Sequence, residues 1–197
     1  MTKGIFVVFE GLDRSGKTTM VNALHERMSK DIVIRKIGFP NRSTALGRVI
    51  DGYLRKQIKL EDETIHLVFS ADRYEHKEMI EQLRKENVVL CDRYSMSGVV
   101  YSAAKGLDLQ WCEMTEELLP KPDLTVFIDV PTDELCKRKG FGEEVYDDMK
   151  FQKKVYSLYA SLLKKEKNVL IIDGTCAVED NIEKVMHAIM VNKNSIA

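Results

Sequence analysis

At 197 residues, 44% of them hydrophobic, the chain has the length and apolar content of one α/β domain with a substantial core, which excludes two independent domains. Its 30 basic residues stand against 31 acidic ones for a net charge of −1, so there is no general electrostatic pull on nucleic acid and any basic patch has to be local. The cysteines at 91, 112, 136 and 176 are scattered without a C-x-x-C pair, no apolar run approaches the roughly 20 residues of a membrane span, and no apolar leader precedes the first strand. Reduced thiols in the cytosol or the nucleus are expected, with no zinc site and no membrane.

In chain order, the run from Gly4 to Phe9 is short, apolar, β-branched and aromatic, which suits a buried parallel strand. Met20, Val21, Leu24 and Met28 then recur at helical spacing. Further apolar runs at 32–39, 88–91, 124–130 and 169–172 alternate with segments of helical period at 44–57, 61–86, 97–105, 132–138, 150–166 and 178–191, the first helix covering 17–30. That alternation predicts five parallel strands flanked by helices. Pro120-Lys-Pro122 marks the connector into the fourth strand, and the segment 192–197 is expected to fray. No repeat divides the chain, so 1–197 reads as a single domain.

Between the first strand and the first helix lies Gly11-Leu-Asp-Arg-Ser-Gly16-Lys17-Thr18, the spacing of a phosphate-binding loop. Successive backbone N–H groups point into one concavity only where the chain bends tightly, which glycine allows by tolerating positive φ. The loop must also open a helix, whose unpaired N–H groups and positive dipole end face the phosphates. Lys17 then reaches the outer phosphates and the Thr18 hydroxyl ligates magnesium.

Phosphate loops serve GTPases, motors and small-molecule kinases alike. The guanine reader of a GTPase is missing, because Asn192-Lys-Asn-Ser195 lacks the required Asp. Instead the strand at 88–91 ends in Asp92-Arg93-Tyr94, a carboxylate and a guanidinium at the carboxyl edge of a parallel sheet, where ligands bind. Asp92 there can hold magnesium or its waters, and Arg93 can clamp a phosphate through two parallel hydrogen bonds.

With Phe39-Pro-Asn-Arg-Ser-Thr44, Leu67-Val-Phe-Ser-Ala-Asp-Arg73-Tyr, Asp92-Arg-Tyr-Ser-Met-Ser-Gly98-Val-Val-Tyr101, Leu119-Pro-Lys-Pro-Asp123 and Lys137-Arg-Lys-Gly-Phe-Gly-Glu-Glu-Val-Tyr146, the chain resembles the thymidylate kinases of the eukaryotic and poxviral type. The motifs follow in the right order from about residue 4 to 180. The resemblance implies a P-loop NTPase fold with a short lid at about 137–147, a homodimer, and phosphoryl transfer from Mg-ATP to dTMP.

It also implies roles. Gly11, Leu12, Asp13, Arg14, Ser15, Gly16, Lys17, Thr18 and Thr19 form the ATP loop, Arg138 stacks on adenine, and Thr18 and Asp92 organise Mg²⁺. Arg14, Lys17, Asp92 and Arg93 act on the transferred group, Arg14 as a finger supplied in cis. For dTMP, Arg42 and Arg93 take the phosphate, Asp13 meets the 3′-hydroxyl, Phe69 stacks on thymine beside Phe39, and Arg73 donates to O4. Ser97, Gly98 and Tyr101 approach the base or sugar, and Tyr146 packs against the deoxyribose. Gly140 and Gly142 suggest a mobile lid. Asp72 and Tyr101 depart from the family habit of Asn and Phe, which bears on the breadth of acceptors. Another nucleotide kinase on the same fold, or a catalytically silent nucleotide-binding regulator, is the competing reading. The Phe69–Arg73 pair speaks against the first and the intact charges against the second.

Overall fold

β1 (Ile5–Glu10), β2 (Ile34–Gly38), β3 (Val88–Asp92), β4 (Leu124–Asp129) and β5 (Val169–Asp173) pair in parallel in the order β2-β3-β1-β4-β5 in the computed structural model, which describes residues 4–30, 32–135, 137–138, 145–146 and 148–195. Every residue of β1 is buried, so both sheet faces need helical cover. The period of two sorts its side chains: Ile5, Val7 and Phe9 join the larger core, while Phe6 and Val8 join a second cluster with Phe39, Ile80 and Tyr94. The cover comes from α1 (Lys17–Met28), α2 (Ala45–Leu54), α3 (Asp62–Glu75), α4 (Lys77–Leu83), α5 (Ser95–Lys105), α6 (Leu109–Thr115), α7 (Thr132–Leu135), α8 (Met149–Leu163) and α9 (Val178–Ser195).

The chain leaves β1 toward β2 and β3 on one side, then crosses to β4 and β5 on the other. Such a reversal opens a crevice at the carboxyl ends of the strands. The register fills it, because Phe9 and Gly38 both lie opposite Asp92. The segments following β1, β2 and β3 therefore emerge side by side.

All the expected strands are present; α9 runs on to Ser195 through part of the segment expected to fray, the helix expected over 132–138 ends at Leu135, and two further helical departures have clear causes. The helix expected over 61–86 is broken at His76, whose ring nitrogen Nδ1 bonds the Asp72 carbonyl at 2.8 Å while its own N–H turns to Arg73 O at 3.1 Å. A side chain has thus taken the acceptor that would have continued the helix. The short α6 was not foreseen. Asp108 caps it, its carboxylate accepting the Trp111 N–H at 2.7 Å. The lid residues Gly140, Gly142, Glu143, Glu144 and Asp147 lie outside the described residues.

Candidate active site

Gly11 (φ 145°) and Gly16 (φ 100°) take the left-handed turns that the phosphate loop requires, and Gly16 opens α1. Behind the loop, Leu12 and Ser15 are buried, and the Lys17 ammonium donates to Leu12 O at 2.6 Å, Gly11 O at 3.1 Å and Ser15 Oγ at 3.2 Å. Burial, reinforced by Arg93, pushes Lys17 down to about 7 against the opposing pull of Asp13, Asp92 and Glu10. Thr18 Oγ1 donates to Asp92 Oδ2 at 2.5 Å, so the two residues named for magnesium meet at the loop mouth. Arg14 is itself left-handed, and its carbonyl accepts Arg138 Nη1 at 2.5 Å while Arg138 Nη2 reaches Gly174 O at 3.1 Å. Arg138 thereby joins the loop to the turn after β5.

Asp13 is the hub between the two halves of the site. Its Oδ1 accepts Arg93 Nη2 at 2.5 Å, and its Oδ2 accepts the Tyr101 hydroxyl at 2.8 Å and Gln152 Nε2 at 3.1 Å. Burial alone would raise this carboxyl, but Arg93, then Lys17 and the two donors, outweigh it and hold Asp13 below the usual carboxylate range. Arg93, left-handed at φ 65°, also donates from Nη1 to Gly11 O at 3.1 Å and Ser97 Oγ at 3.3 Å, and its guanidinium lies 5.5 Å from the Tyr101 ring centroid. The Tyr101 hydroxyl, expected near the base or sugar, is thus committed to Asp13. Tyr146 meets the Tyr101 ring edge-on at 5.2 Å and stacks on Phe151 at 5.3 Å.

On α3, Phe69 and Arg73 lie one turn apart on the same face. Arg73 is buried in a two-pronged pair with Glu116, Nε to Oε2 at 2.8 Å and Nη2 to Oε1 at 2.5 Å. Gly98 permits this, since a Cβ there would stand 2.3 Å from Arg73 Nη2. Asp72 accepts the Asn41 N–H at 2.9 Å and the Thr44 hydroxyl at 3.3 Å, and so ties down the segment that carries Phe39 and Arg42. Arg42 donates to Asp51 at 2.6 Å.

These features enclose one cavity of about 700 Å³, within the range of a small-molecule site. Its walls include Asp13, Arg14, Gly16, Lys17, Thr18, Thr19, Phe39, Arg42, Phe69, Arg73, Asp92, Arg93, Ser97, Gly98, Tyr101, Arg138 and Tyr146. Gly11, Leu12 and Ser15 stand behind that wall and contribute through the loop backbone. Sequence reasoning missed Glu10, Glu116 and Gln152. Only Glu10 left a signal, as an acid closing an otherwise apolar strand.

The family model for thymidylate kinase matches residues 9–186. The thymidylate kinase of Plasmodium falciparum is 41% identical over 181 residues, covering 90% of this chain and 86% of its own. That of Caenorhabditis elegans is 42% identical over 173 residues, covering 81% and 78%. The solved structure of thymidylate kinase from Candida albicans superposes with a TM-score of 0.85 at 34% identity, covering 98% of this chain and 93% of that one.

Proposed function

The chain belongs to the thymidylate kinase family, and from that premise we propose how its site moves the γ-phosphoryl group of ATP to dTMP, giving dTDP and ADP. The observation that carries the reading is the single cavity, with the phosphate loop at one end, Phe69 and Arg73 at the other and the Arg93–Asp13 pair between them. Two anions must be held in line and the charge that spreads over the transferred group neutralised, which asks the protein for positioning more than for covalent chemistry.

Lys17 and the loop N–H groups hold the β- and γ-phosphates, and Arg14 lies against the γ-phosphate. Arg42 and Arg93 take the dTMP phosphate. Phe69 stacks on thymine beside Phe39, and Arg73 donates to O4 through a guanidinium N–H that its pair with Glu116 leaves available. Asp13 accepts from the 3′-hydroxyl while Tyr146 packs against the deoxyribose and disfavours a 2′-hydroxyl. Ser97, Gly98 and Tyr101 close the sugar side. Arg138 covers adenine, and the lid at about 137–147 excludes water that would otherwise accept the phosphoryl group.

The donor set fits magnesium, since Thr18 Oγ1 and Asp92 Oδ2 are adjacent hard oxygens at the loop mouth. When bound there the ion neutralises charge on the β- and γ-phosphates. The assembly we propose is a homodimer through α3, on which Leu67 is 48% exposed. Among the described residues Cys91, Cys112 and Cys176 are free thiols, which suits the cytosol or the nucleus. No helix among the described residues is long and apolar enough to cross a membrane.

The test is ADP release from Mg-ATP with dTMP, dUMP, dGMP, dCMP, UMP and thymidine as acceptors, coupled to product identification. Turnover strongest with dTMP, weaker with dUMP and absent with thymidine is expected. Turnover led by another acceptor would overturn the base-pocket assignment.

A further inference from the structure

We infer that Glu10 is a positioning residue for the acceptor phosphate: from the end of β1 it fixes the left-handed turn at Arg93 and so the direction of the Arg93 guanidinium. The inference rests on the reading of Arg93 as a ligand of the dTMP phosphate.

The reasoning starts from an unsatisfied helix end. α5 begins at Ser95 with Tyr94 as its N-cap, and that residue makes no side-chain capping bond. The first N–H groups of a helix have no partner within the helix, and here those of Tyr94 and Ser97 are buried, so an acceptor has to come from elsewhere. Glu10, with no solvent exposure, supplies it: Oε1 accepts the Tyr94 N–H at 3.0 Å and the Ser97 N–H at 3.1 Å. Oε2 accepts the Tyr159 hydroxyl at 2.9 Å and the Ser97 hydroxyl. A strand residue distant in sequence thus acts as the cap of α5.

Arg93 sits immediately before that cap, at a φ of 65° that an L residue with a long side chain rarely adopts and that persists only where its surroundings over-determine it. Both flanking peptide units are pinned to the end of β1. The Arg93 N–H donates to Phe9 O at 3.0 Å, and the next N–H, that of Tyr94, donates to Glu10. The guanidinium then closes the circuit on Gly11 O and Asp13 Oδ1, one and three residues beyond Glu10. Glu10 therefore ties the phosphate loop and Arg93 into one unit without facing the ligand cavity.

The two oxygens have different jobs, and this gives the test. An amide can keep its oxygen toward the two backbone N–H groups and turn its NH₂ toward the Ser97 and Tyr159 hydroxyls, which can accept. Glu10→Gln preserves the cap, whereas Glu10→Met fills the space with no acceptor, and Glu10→Asp withdraws the carboxyl by one methylene. Affinities for dTMP and for thymidine, which lacks the phosphate, are measured by calorimetry without ATP for the wild type, these variants and Arg93→Ala. The ratio of the two dissociation constants isolates the phosphate contribution, which loss of general stability would not move. We expect Glu10→Met to lower the preference for dTMP by about tenfold or more, Glu10→Gln to stay within about threefold, and Arg93→Ala to lower it at least as far as Glu10→Met. Should Glu10→Met fail to fold, Glu10→Asp gives the same reading. Wild-type preference in Glu10→Met or Glu10→Asp, with the preference lost in Arg93→Ala, overturns the inference. An unchanged preference in Arg93→Ala overturns instead the role of Arg93 on which it stands.

Discussion

Gly98→Ala adds one methyl group where the structure has none to spare. The new Cβ would lie 2.3 Å from Arg73 Nη2 and 2.9 Å from its Cζ, so the guanidinium must recede by about 1 Å to reach ordinary contact. It has nowhere convenient to go. Arg73 and Glu116 are 3% and 4% exposed as side chains, and a 1 Å shift stretches their 2.5 Å contact to the edge of hydrogen bonding. Loosening a buried pair of this kind costs up to about 3 kcal/mol, of which the better helix propensity of alanine returns about 1 kcal/mol. A net loss of about 2 kcal/mol lowers Tm by about 6 °C in a chain of this size. A 1 Å error at a substrate-positioning group costs up to about 100-fold in kcat/KM, and we expect it in the KM for dTMP, because the proposed function puts Arg73 on the base and not on the reacting atoms. The KM for ATP should hold within about twofold, since the phosphate loop is untouched. The assay is coupled ADP release over a dTMP series, with thermal unfolding of the same preparations. A KM for dTMP and a Tm both equal to wild type would refute the claim that the absent side chain at 98 sets the place of Arg73.

Other outcomes follow from the same geometry. Arg14→Ala should lower kcat by about 10³ while leaving dTMP affinity nearly unchanged, as a contact that strengthens on the transferred group would; unchanged kcat in steady-state assays removes the finger role. Tyr101→Phe deletes the hydroxyl that donates to Asp13 but leaves the Arg93 and Gln152 bonds, so the KM for dTMP should rise about fivefold with kcat little altered. Lys17 titrates near pH 7 and bound phosphates raise it, so above pH 7 binding of a non-hydrolysable ATP analogue takes up a proton and its Kd climbs about tenfold per pH unit; a Kd flat from pH 7 to 9 in calorimetry contradicts this. His66 is buried between Ser102 and Thr115 and depressed chiefly by desolvation to about 4, so the unfolded chain binds its proton first. Stability is therefore full above pH 6.5 and falls by about 3 kcal/mol as pH drops toward 4, a loss that denaturant unfolding should find reduced in His66→Gln.

What the sequence made legible was whatever repeats or clusters locally. The strands announce themselves as apolar runs, and the phosphate loop as a fixed spacing of glycines, so the crevice at the ends of β1 and β3 could be anticipated along with most of its walls. The break at His76 was invisible because a ring nitrogen competing for a backbone carbonyl leaves no mark on periodicity. Glu116 and Gln152 were missed for a different reason: their partners, Arg73 and Asp13, lie 43 and 139 residues away, and only the packing of α3, α6 and α8 makes them neighbours. Asp72 was noticed as a departure, but its two acceptor oxygens gain meaning only once Asn41 and Thr44 are seen to donate to both.

Three carboxylates of the site share a property that accounts for their presence among anions. Carboxylates beside phosphates add repulsion, yet Asp13, Asp51 and Glu116 each hold a specific arginine. A long basic side chain loses about 2 kcal/mol of rotamer freedom when fixed, and pairing it in the folded chain moves that loss from the binding step to the folding step. The placement of charge follows the ligand. Arg73 is matched by a buried carboxylate, which under the proposed function leaves it a rigid donor to neutral thymine with no net charge to satisfy. The cavity gathers Arg14, Lys17, Arg42 and Arg93 around two acids, Asp13, which accepts from Arg93, Tyr101 and Gln152, and Asp92, which accepts from the Thr18 hydroxyl. Removing Glu116 should therefore blunt recognition of the base while sparing the phosphates, and removing Asp13 should disturb both ends at once, because it alone among these carboxylates touches the loop, Arg93 and the α8 side of the sugar pocket.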